Sequence, residues 1–371
     1  MEKSRINVFE MSGSNYEIGY NLGKTILNYP QMLKMQISEA NEFNDEIIKD
    51  MIEMFDKYCP GLNEELKGFA DAVEVNYLQV VYYTMTYLTP GCSLLAILPK
   101  LMENNHVMVA RNYEFSHKME DFVFCKTKVK GKYAHMGGSV MQFGRSEGIN
   151  ECGLMVGQTS CGLPVGNMEM LRKPKVKGLQ FWAVIRSILE NCRNVDEALS
   201  VLKEMPIAYN INLIVADNLG NAALFETLDG KKAVKKIDNT TKEQYIHSTN
   251  HAHLAEIIEL EPLAMEHSVC RYEFIKNYMN KDEVLSDNDL KKLLLSKYPL
   301  GLCCHWYDEF FGTIKSMVFD VTLKTVDICW GGDEQNGWKK YSLDDKMNME
   351  MLTANINIEH PTFDFAKLVK I

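Results

Sequence analysis

The period of the hydrophobic pattern changes at Thr89-Pro90-Gly91, and this change limits the possible folds more than any other feature of the 371-residue chain. Before it, apolar residues recur three and four apart in QMLKMQISEANEF, EIIKDMIEMFDKY and NEELKGFADAVEV, with Pro60-Gly61 as punctuation. That spacing predicts helices from Tyr16 to about Leu88. After it, CSLLAILPKL, HVMVARNYEF, FVFCKTKVKGKYAHM, GSVMQFG and CGLMVGQTS are short runs bounded by turn residues, which predicts strands. Helices return at LQFWAVIRSILENC and NVDEALSVLKEM, the second capped by Asn194 or Asp196. Two strands follow around a turn at Asn218 to Asn221. Helices near Ser268 to Met279 and Asp287 to Leu295 come next, and TIKSMVFDVT and TVDICWGG read as the last strands. Sheet, helical pair, sheet and helices in this order predict a layered α+β domain, not a parallel βαβ array. The expected division is a helical segment over 1–91 and a sheet domain over 92–371.

Composition narrows the function. The formal net charge is -10, and Lys and Arg form no long stripe, which argues against nucleic-acid or anionic-membrane partners. No run of about 18 apolar residues occurs and the N-terminus does not read as a signal peptide, so a cytoplasmic protein with a small-molecule substrate is expected. Ten cysteines with no CxxC pair point to core packing for most of them and to no metal. The tandem Cys303-Cys304 with His305 lacks a second ligand pair. No cofactor is expected.

One cysteine stands apart. Gly91-Cys92 opens the first strand, and the returning strand carries Arg111, Asn112, Tyr113, Glu114 and Phe115. A thiol, a guanidinium and a carboxylate thus enter one strand-turn-strand unit. A cysteine is a nucleophile only as thiolate, so it needs a base or a positive neighbour. If the Gly91-Cys92 bond is cut, the freed α-amine of Cys92, titrating near ~7.7 to 8.0, becomes that base.

This arrangement resembles the N-terminal-nucleophile (Ntn) cysteine hydrolases that act on linear amides, the acyl-CoA:6-aminopenicillanate acyltransferase family above all. Choloylglycine hydrolases, penicillin V acylases and acid ceramidase share the pattern. Cys92-Ser93 matches the start of the mature chain, and Arg111-Asn112-Tyr113-Glu114-Phe115 matches an Arg-Asn-X-Asp-Phe strand, with Glu in place of Asp. Gly148-Ile149-Asn150-Glu151-Cys152-Gly153-Leu154 matches a strand entry. Thr249-Asn250-His251 is similar to a segment whose Asn helps form the oxyanion hole. Ser268-Val269-Cys270-Arg271 is similar to a helix start whose Arg supports the cysteine. Gly312, Thr313, Ser316, Phe319 and Asp320 continue the likeness. Where bile-salt hydrolases carry an oxyanion donor, this chain has Gln158, Thr159 and Ser160.

The resemblance implies a four-layer αββα Ntn-hydrolase sandwich of two antiparallel sheets, preceded by the helical segment. It implies a catalytic set of Cys92, Arg111, Glu114, Asn250 and Arg271, with cleavage between Gly91 and Cys92. Thr159, His251 and His305 are counted as candidate substrate-binding residues. The expected partner is an N-acyl amide, with acyl-CoA as a further candidate, and a homo-oligomer is anticipated. Two alternatives stay open: a conventional Cys/His hydrolase that never cuts itself, and a non-catalytic binding member of the fold.

Overall fold

The computed structural model describes residues 2–37, 45–166, 169, 171–281 and 283–371. The N-terminal part contains β1 (Glu2–Gly13), α1 (Asn15–Ile26), α2 (Pro30–Gln36), α3 (Asp45–Tyr58), α4 (Leu62–Val73) and α5 (Tyr77–Thr84). Then come β2 (Gly91–Ile97), β3 (Met108–Phe115), β4 (Val123–Val129), β5 (His135–Val140), β6 (Gly144–Asn150) and β7 (Leu154–Ser160). Helices α6 (Phe181–Asn191) and α7 (Val195–Glu204) lead into β8 (Ile211–Asp217), β9 (Asn221–Leu228), β10 (Lys231–Asp238) and β11 (Tyr245–Ser248). The remainder holds α8 (Ala255–Ile258), β12 (Leu263–Met265), α9 (Glu266–Met279), α10 (Asp287–Leu295), β13 (His305–Trp306) and β14 (Phe311–Asp320). It closes with β15 (Thr325–Trp330), β16 (Trp338–Ser342), β17 (Glu350–Ile356) and β18 (Leu368–Lys370).

The helices start where the sequence supplies caps. Ser14 with Glu17, Asn76 with Gln79 and Ser286 with Asp289 form reciprocal capping boxes, and Asn194 accepts from the Glu197 N–H. The strands form two large sheets. One runs β10-β9-β8-β7-β6-β5-β4-β1-β17, the other β11-β2-β3-β14-β15-β16 with β13 on β14. Pairing is antiparallel except between β1 and β4.

Period-two alternation sorts the strand residues into layers. Leu94, Val109 and Met317 of one sheet meet Val8, Phe124, Ile149 and Ile214 of the other in a core between the sheets. Leu95, Ala110 and Val318 point the opposite way onto Ile275 of α9 and Leu290 and Leu294 of α10. Val156 and Leu213 face Trp182 and Ile185 of α6 and Leu66 and Phe69 of α4. The result is the αββα order expected. At about 1.5–3 kcal/mol for each fully buried large aliphatic or aromatic side chain, these three interfaces supply the main favourable term of folding.

Three differences from the sequence reading are physical. A purely helical reading of 1–91 makes no provision for β1, a strand seated between β17 and β4. Strands that read as one meander divide between two sheets, because β2 and β3 pair with each other and β3 with β14, while β4 pairs with β5 and β1. Strands β16, β17 and β18 follow the two strands expected to be last. The stretch of the first helical run from 38 to 44 lies outside the described residues. Among the described residues, no helix is long and apolar enough to cross a membrane.

Candidate active site

The register of β2 on β3 builds the site. Gly91 faces Glu114, Cys92 faces Tyr113, Ser93 faces Asn112 and Leu94 faces Arg111, without interruption. Cys92, Arg111 and Tyr113 therefore point between the sheets, while Ser93, Asn112 and Glu114 point toward α9 and α10. Strand alternation alone would require a bulge to bring Arg111 and Glu114 to one cysteine. No bulge occurs between β2 and β3; the two side chains approach Cys92 from opposite faces. The irregularity lies on the other neighbour, β14, between Thr313 and Lys315. It sets Thr313 beside Glu114 and Lys315 beside Tyr113.

Between the sheets, the Arg111 guanidinium lies 3.1 Å from the Cys92 Sγ. Its Nε donates to Glu147 Oε2 at 3.0 Å and its Nη1 to the Gln158 carbonyl. Lys315 closes the network, with Nζ 3.1 Å from Glu147 Oε1 and 4.7 Å from the Tyr113 ring centroid. Gln158 Nε2 is 3.8 Å from the thiol. All of these groups are buried. Burial pushes the Cys92 thiol up to about 12, with Arg111 and Arg271 pulling against it. Against the same penalty of burial, Lys315 and Arg111 hold Glu147 below the usual carboxylate range. With the backbone continuous at Cys92, then, the thiol is protonated at neutral pH and sits beside a fixed positive charge.

On the helix side, Arg271 of α9 gathers the backbone. Its Nη1 donates to the Cys92 carbonyl at 2.9 Å and to Ser93 Oγ at 2.7 Å, and its Nη2 to Asn250 Oδ1 at 2.8 Å. The Cys92 N–H donates to the same Asn250 Oδ1 at 3.0 Å. Two donors on one oxygen fix the orientation of the Asn250 amide, so Nδ2 points to Ser160 Oγ, 2.9 Å away. Glu114 accepts from Thr313 Oγ1 at 3.3 Å, and its other oxygen lies 3.9 Å from Arg271 Nη1. Burial outweighs that long ion pair and raises the Glu114 carboxyl to about 7.

The loop carrying Asn250 is held by four elements. Asn212 of β8 donates to the carbonyls of Thr249 and His251 at 3.0 and 2.8 Å. Thr159 of β7 donates to the Thr249 carbonyl at 2.7 Å. Glu226 of β9 accepts from the His253 and Leu254 N–H groups, both at 2.8 Å. Ser268 of α9 bonds His251 Nδ1 at 2.8 Å.

Cys92, Arg111, Glu114, Asn250 and Arg271 thus converge. Thr159, His251 and His305 do not reach the thiol. Thr159 and His251 are spent on the loop. His305 bonds the Asn357 carbonyl through Nδ1 and Cys303 Sγ through Nε2 at 3.0 and 3.3 Å. Asn150 ends β6 and anchors the turn that follows: its side chain satisfies the Cys152 and Leu154 N–H groups and the Leu189 and Cys192 carbonyls. Glu147 and Lys315 escape the sequence reading. Their only signal is a charged residue at an inward strand position, which cannot be read until the faces are assigned.

Residues 101–335 match the family described as Acyl-coenzyme A:6-aminopenicillanic acid acyl-transferase. The chain belongs to that family, among Ntn-type enzymes that hydrolyse amides or transfer acyl groups. Among solved structures it is similar to penicillin V acylase from Agrobacterium tumefaciens, at 17% identity and a TM-score of 0.39, covering 64% of this chain and 83% of that one. A mutant of conjugated bile acid hydrolase from Clostridium perfringens gives 12% and 0.43, covering 74% and 99%. The Caenorhabditis elegans ortholog of N-acylethanolamine-hydrolyzing acid amidase gives 13% and 0.43, covering 62% and 94%. No curated protein matches the chain.

Proposed function

We propose that the chain is a self-activating cysteine amidohydrolase or acyltransferase of N-acyl amides, with Cys92 as nucleophile. The observation that carries this reading is the divided grip on one residue: Arg111 holds the Cys92 thiol, while Asn250 holds its amide nitrogen.

In the first stage the Cys92 thiol attacks the Gly91 carbonyl carbon. The C–N bond breaks, the Cys92 nitrogen leaves as an amine, and Gly91 becomes a thioester on Sγ. Water then hydrolyses the thioester to a Gly91 carboxylate and a free thiol. The amine is not yet available as a base for the initial attack. Of the two carboxylates flanking the site, Glu114 has the proton affinity near working pH, whereas Glu147 is held ionised. Gly91 suits the step sterically, since a Cβ there would stand 2.1 Å from a carbon of the Phe311 ring.

In the second stage the freed amine takes the thiol proton, and the thiolate attacks a linear amide. Asn250 Nδ2, in the orientation its amide already holds, donates to the oxyanion in place of Ser160, where one preorganised donor contributes roughly 3 kcal/mol. Glu114 and Arg271 orient the amine. The acyl-thioester passes to water or to an acceptor amine, with acyl-CoA as a candidate donor for the transfer direction.

Mass spectrometry tests the reading. A new N-terminus at Cys92, lost in Cys92→Ala, is expected, together with activity on a panel of N-acyl amino acids, conjugated bile salts and penicillins. An uncut chain with full amidase activity would overturn it in favour of the Cys/His alternative. That alternative has a pair in Cys303 and His305, but the Cys303 thiol donates to the Gly332 carbonyl, and burial pushes it up to about 12.

A further inference from the structure

A cavity of about 490 Å³ lies away from the catalytic centre, between α1 and the outer face of the sheet that contains β1 and β4. Strand alternation places it there. Ile6 and Val8 of β1 enter the core between the sheets, where the Cys92 thiol also lies, so Asn7, Phe9 and Met11 turn the other way and line the cavity. Leu22 and Ile26 of α1 line it from the helix layer. Its volume falls within the roughly 300–1,000 Å³ of ordinary small-molecule sites.

One end of the cavity carries two side-chain amides. Asn7 pairs with Val123, and Ser139 follows one residue beyond the Phe124–Gly138 pair, so Asn7, Val123 and Ser139 form a row across β1, β4 and β5. Gln142 joins that end from the turn between β5 and β6. In this turn Met141 and Gln142 take successive left-handed conformations, with φ of 53° and 64°, which are unfavourable for residues other than glycine. Asp121 holds the turn by accepting from the Gln142 N–H and from Ser139 Oγ, both at 2.8 Å. Backbone strain persists where its surroundings over-determine it, as they do at ligand clamps. Among the described residues, neither the Asn7 nor the Gln142 side-chain amide is spent on a protein partner.

The charge of the lining selects among ligands. Among the described lining residues, Glu10 is the single charged one, and it is already engaged by the Met347 N–H at 3.2 Å and by Lys126 Nζ at 3.7 Å. A carboxylate or phosphate would therefore enter without a counter-charge, at a high desolvation cost. A carboxamide both donates and accepts, so it can exchange hydrogen bonds with an Asn or Gln side chain. Beyond the amides, Phe9, Met11, Met32 and Met347 make an apolar wall, and Met349, 76% exposed, lies where the cavity opens. Methionine adapts to apolar groups of varied shape. We infer that this cavity binds a neutral amphiphile, an apolar chain bearing an amide head, with the head between Asn7 and Gln142 and the chain along Phe9, Met11 and the other methionines. The site does not depend on the chemistry at Cys92, which lies on the other face of the sheet.

The test is calorimetry of octanamide and of octanoate with the full-length Cys92→Ala chain, whose backbone stays continuous at the catalytic centre and which cannot turn the amide over. With octanoate ionised, octanamide should bind at least about tenfold more tightly. Asn7→Leu in that chain should weaken octanamide by about tenfold, the size of one hydrogen bond, and change octanoate by less than about twofold. Thr25→Trp, at an exposed position of the cavity wall, should block the site and abolish binding of octanamide. Failure of octanamide to bind, equal affinity for octanoate, or an octanamide affinity that survives both Asn7→Leu and Thr25→Trp overturns the site.

Discussion

At the residue scale, Arg111 and Glu114 carry opposite electrostatic tasks from opposite faces of one strand. Arg111 is the fixed positive charge beside the Cys92 thiol, and it bridges Glu147 and the Gln158 carbonyl as well. Lysine has one nitrogen and cannot span all three. Arg111→Met should slow both self-cleavage and turnover by ~10 to 100-fold, the worth of a hydrogen bond from a charged donor, and move the alkaline limb of the rate profile to higher pH. Rapid-quench cleavage of freshly refolded chain and a pH–rate series would measure this; unchanged rates would remove Arg111 from the mechanism. Glu114 makes a prediction with a definite sign. Its carboxyl titrates at about 7 in the fold, above the ~4.3 of an exposed Glu, so the folded state binds the extra proton between those values. Its contribution to stability is therefore complete below ~4.3 and is lost as pH rises through about 7, while the ionised form that orients the amine accumulates over the same range. Activity should rise through about pH 7 as thermal stability declines, and Glu114→Gln should flatten both slopes. Parallel activity and melting profiles spanning that titration on both sides decide it. The resemblance to the family points to Cys92, Arg111, Glu114, Asn250 and Arg271 as the candidate set, but no sequence pattern assigns Glu147 or Lys315, whose value depends on which face of which sheet they occupy.

At the element scale, the site is a loop and a strand locked together by residues that never touch the thiol. Asn212 reaches the Thr249 and His251 carbonyls on either side of Asn250. Asn212→Ala would leave the buried His251 carbonyl without its side-chain donor and the Thr249 carbonyl with Thr159 alone, at about 1–3 kcal/mol, and would loosen the backbone on both sides of Asn250. The expected outcome is a fall in kcat of about tenfold or more with little change in KM, since the loss falls on oxyanion stabilisation. A fall confined to KM would assign Asn212 to substrate binding instead. The helices of this architecture are legible because caps and period are local: α10 starts after Ser286 and ends at Leu295 as the pattern reads. Strand partnership is not, because the runs that become β2 and β4 both read only as short strands, and tertiary packing sends one to each sheet.

At the scale of the whole molecule, the cut would fall within one continuous fold. The segment before Gly91 supplies β1, which pairs with β17 on one side and β4 on the other. Its helices pack across the boundary, Phe69 of α4 meeting Phe143 edge-on at 5.1 Å and Phe55 of α3 lying 6.0 Å from Trp182 of α6. The same segment sends Glu65 into the layer beneath α6, where Arg186 grips both carboxylate oxygens at 2.8 and 2.5 Å. Arg186 also holds Glu190 at 2.9 Å, and both Glu65 and Arg186 are buried. Removing one partner of such a pair leaves a charge in a dry interior, which costs roughly 3–5 kcal/mol. Charge, sheet pairing and helix packing thus all act across the boundary at Gly91, and none of them depends on the Gly91-Cys92 bond. After cleavage the fragment that ends at Gly91 should therefore elute with the remainder as a single species in gel filtration and separate only in denaturant. Glu65→Ala should lower the midpoint of unfolding and make the cleaved form dissociate at a lower urea concentration than the uncut Cys92→Ala,Glu65→Ala chain unfolds. Equal midpoints would mean that the strand and helix contacts hold the fragment without the ion pair, whereas spontaneous loss of the fragment in buffer would show that the bond itself holds the two parts together.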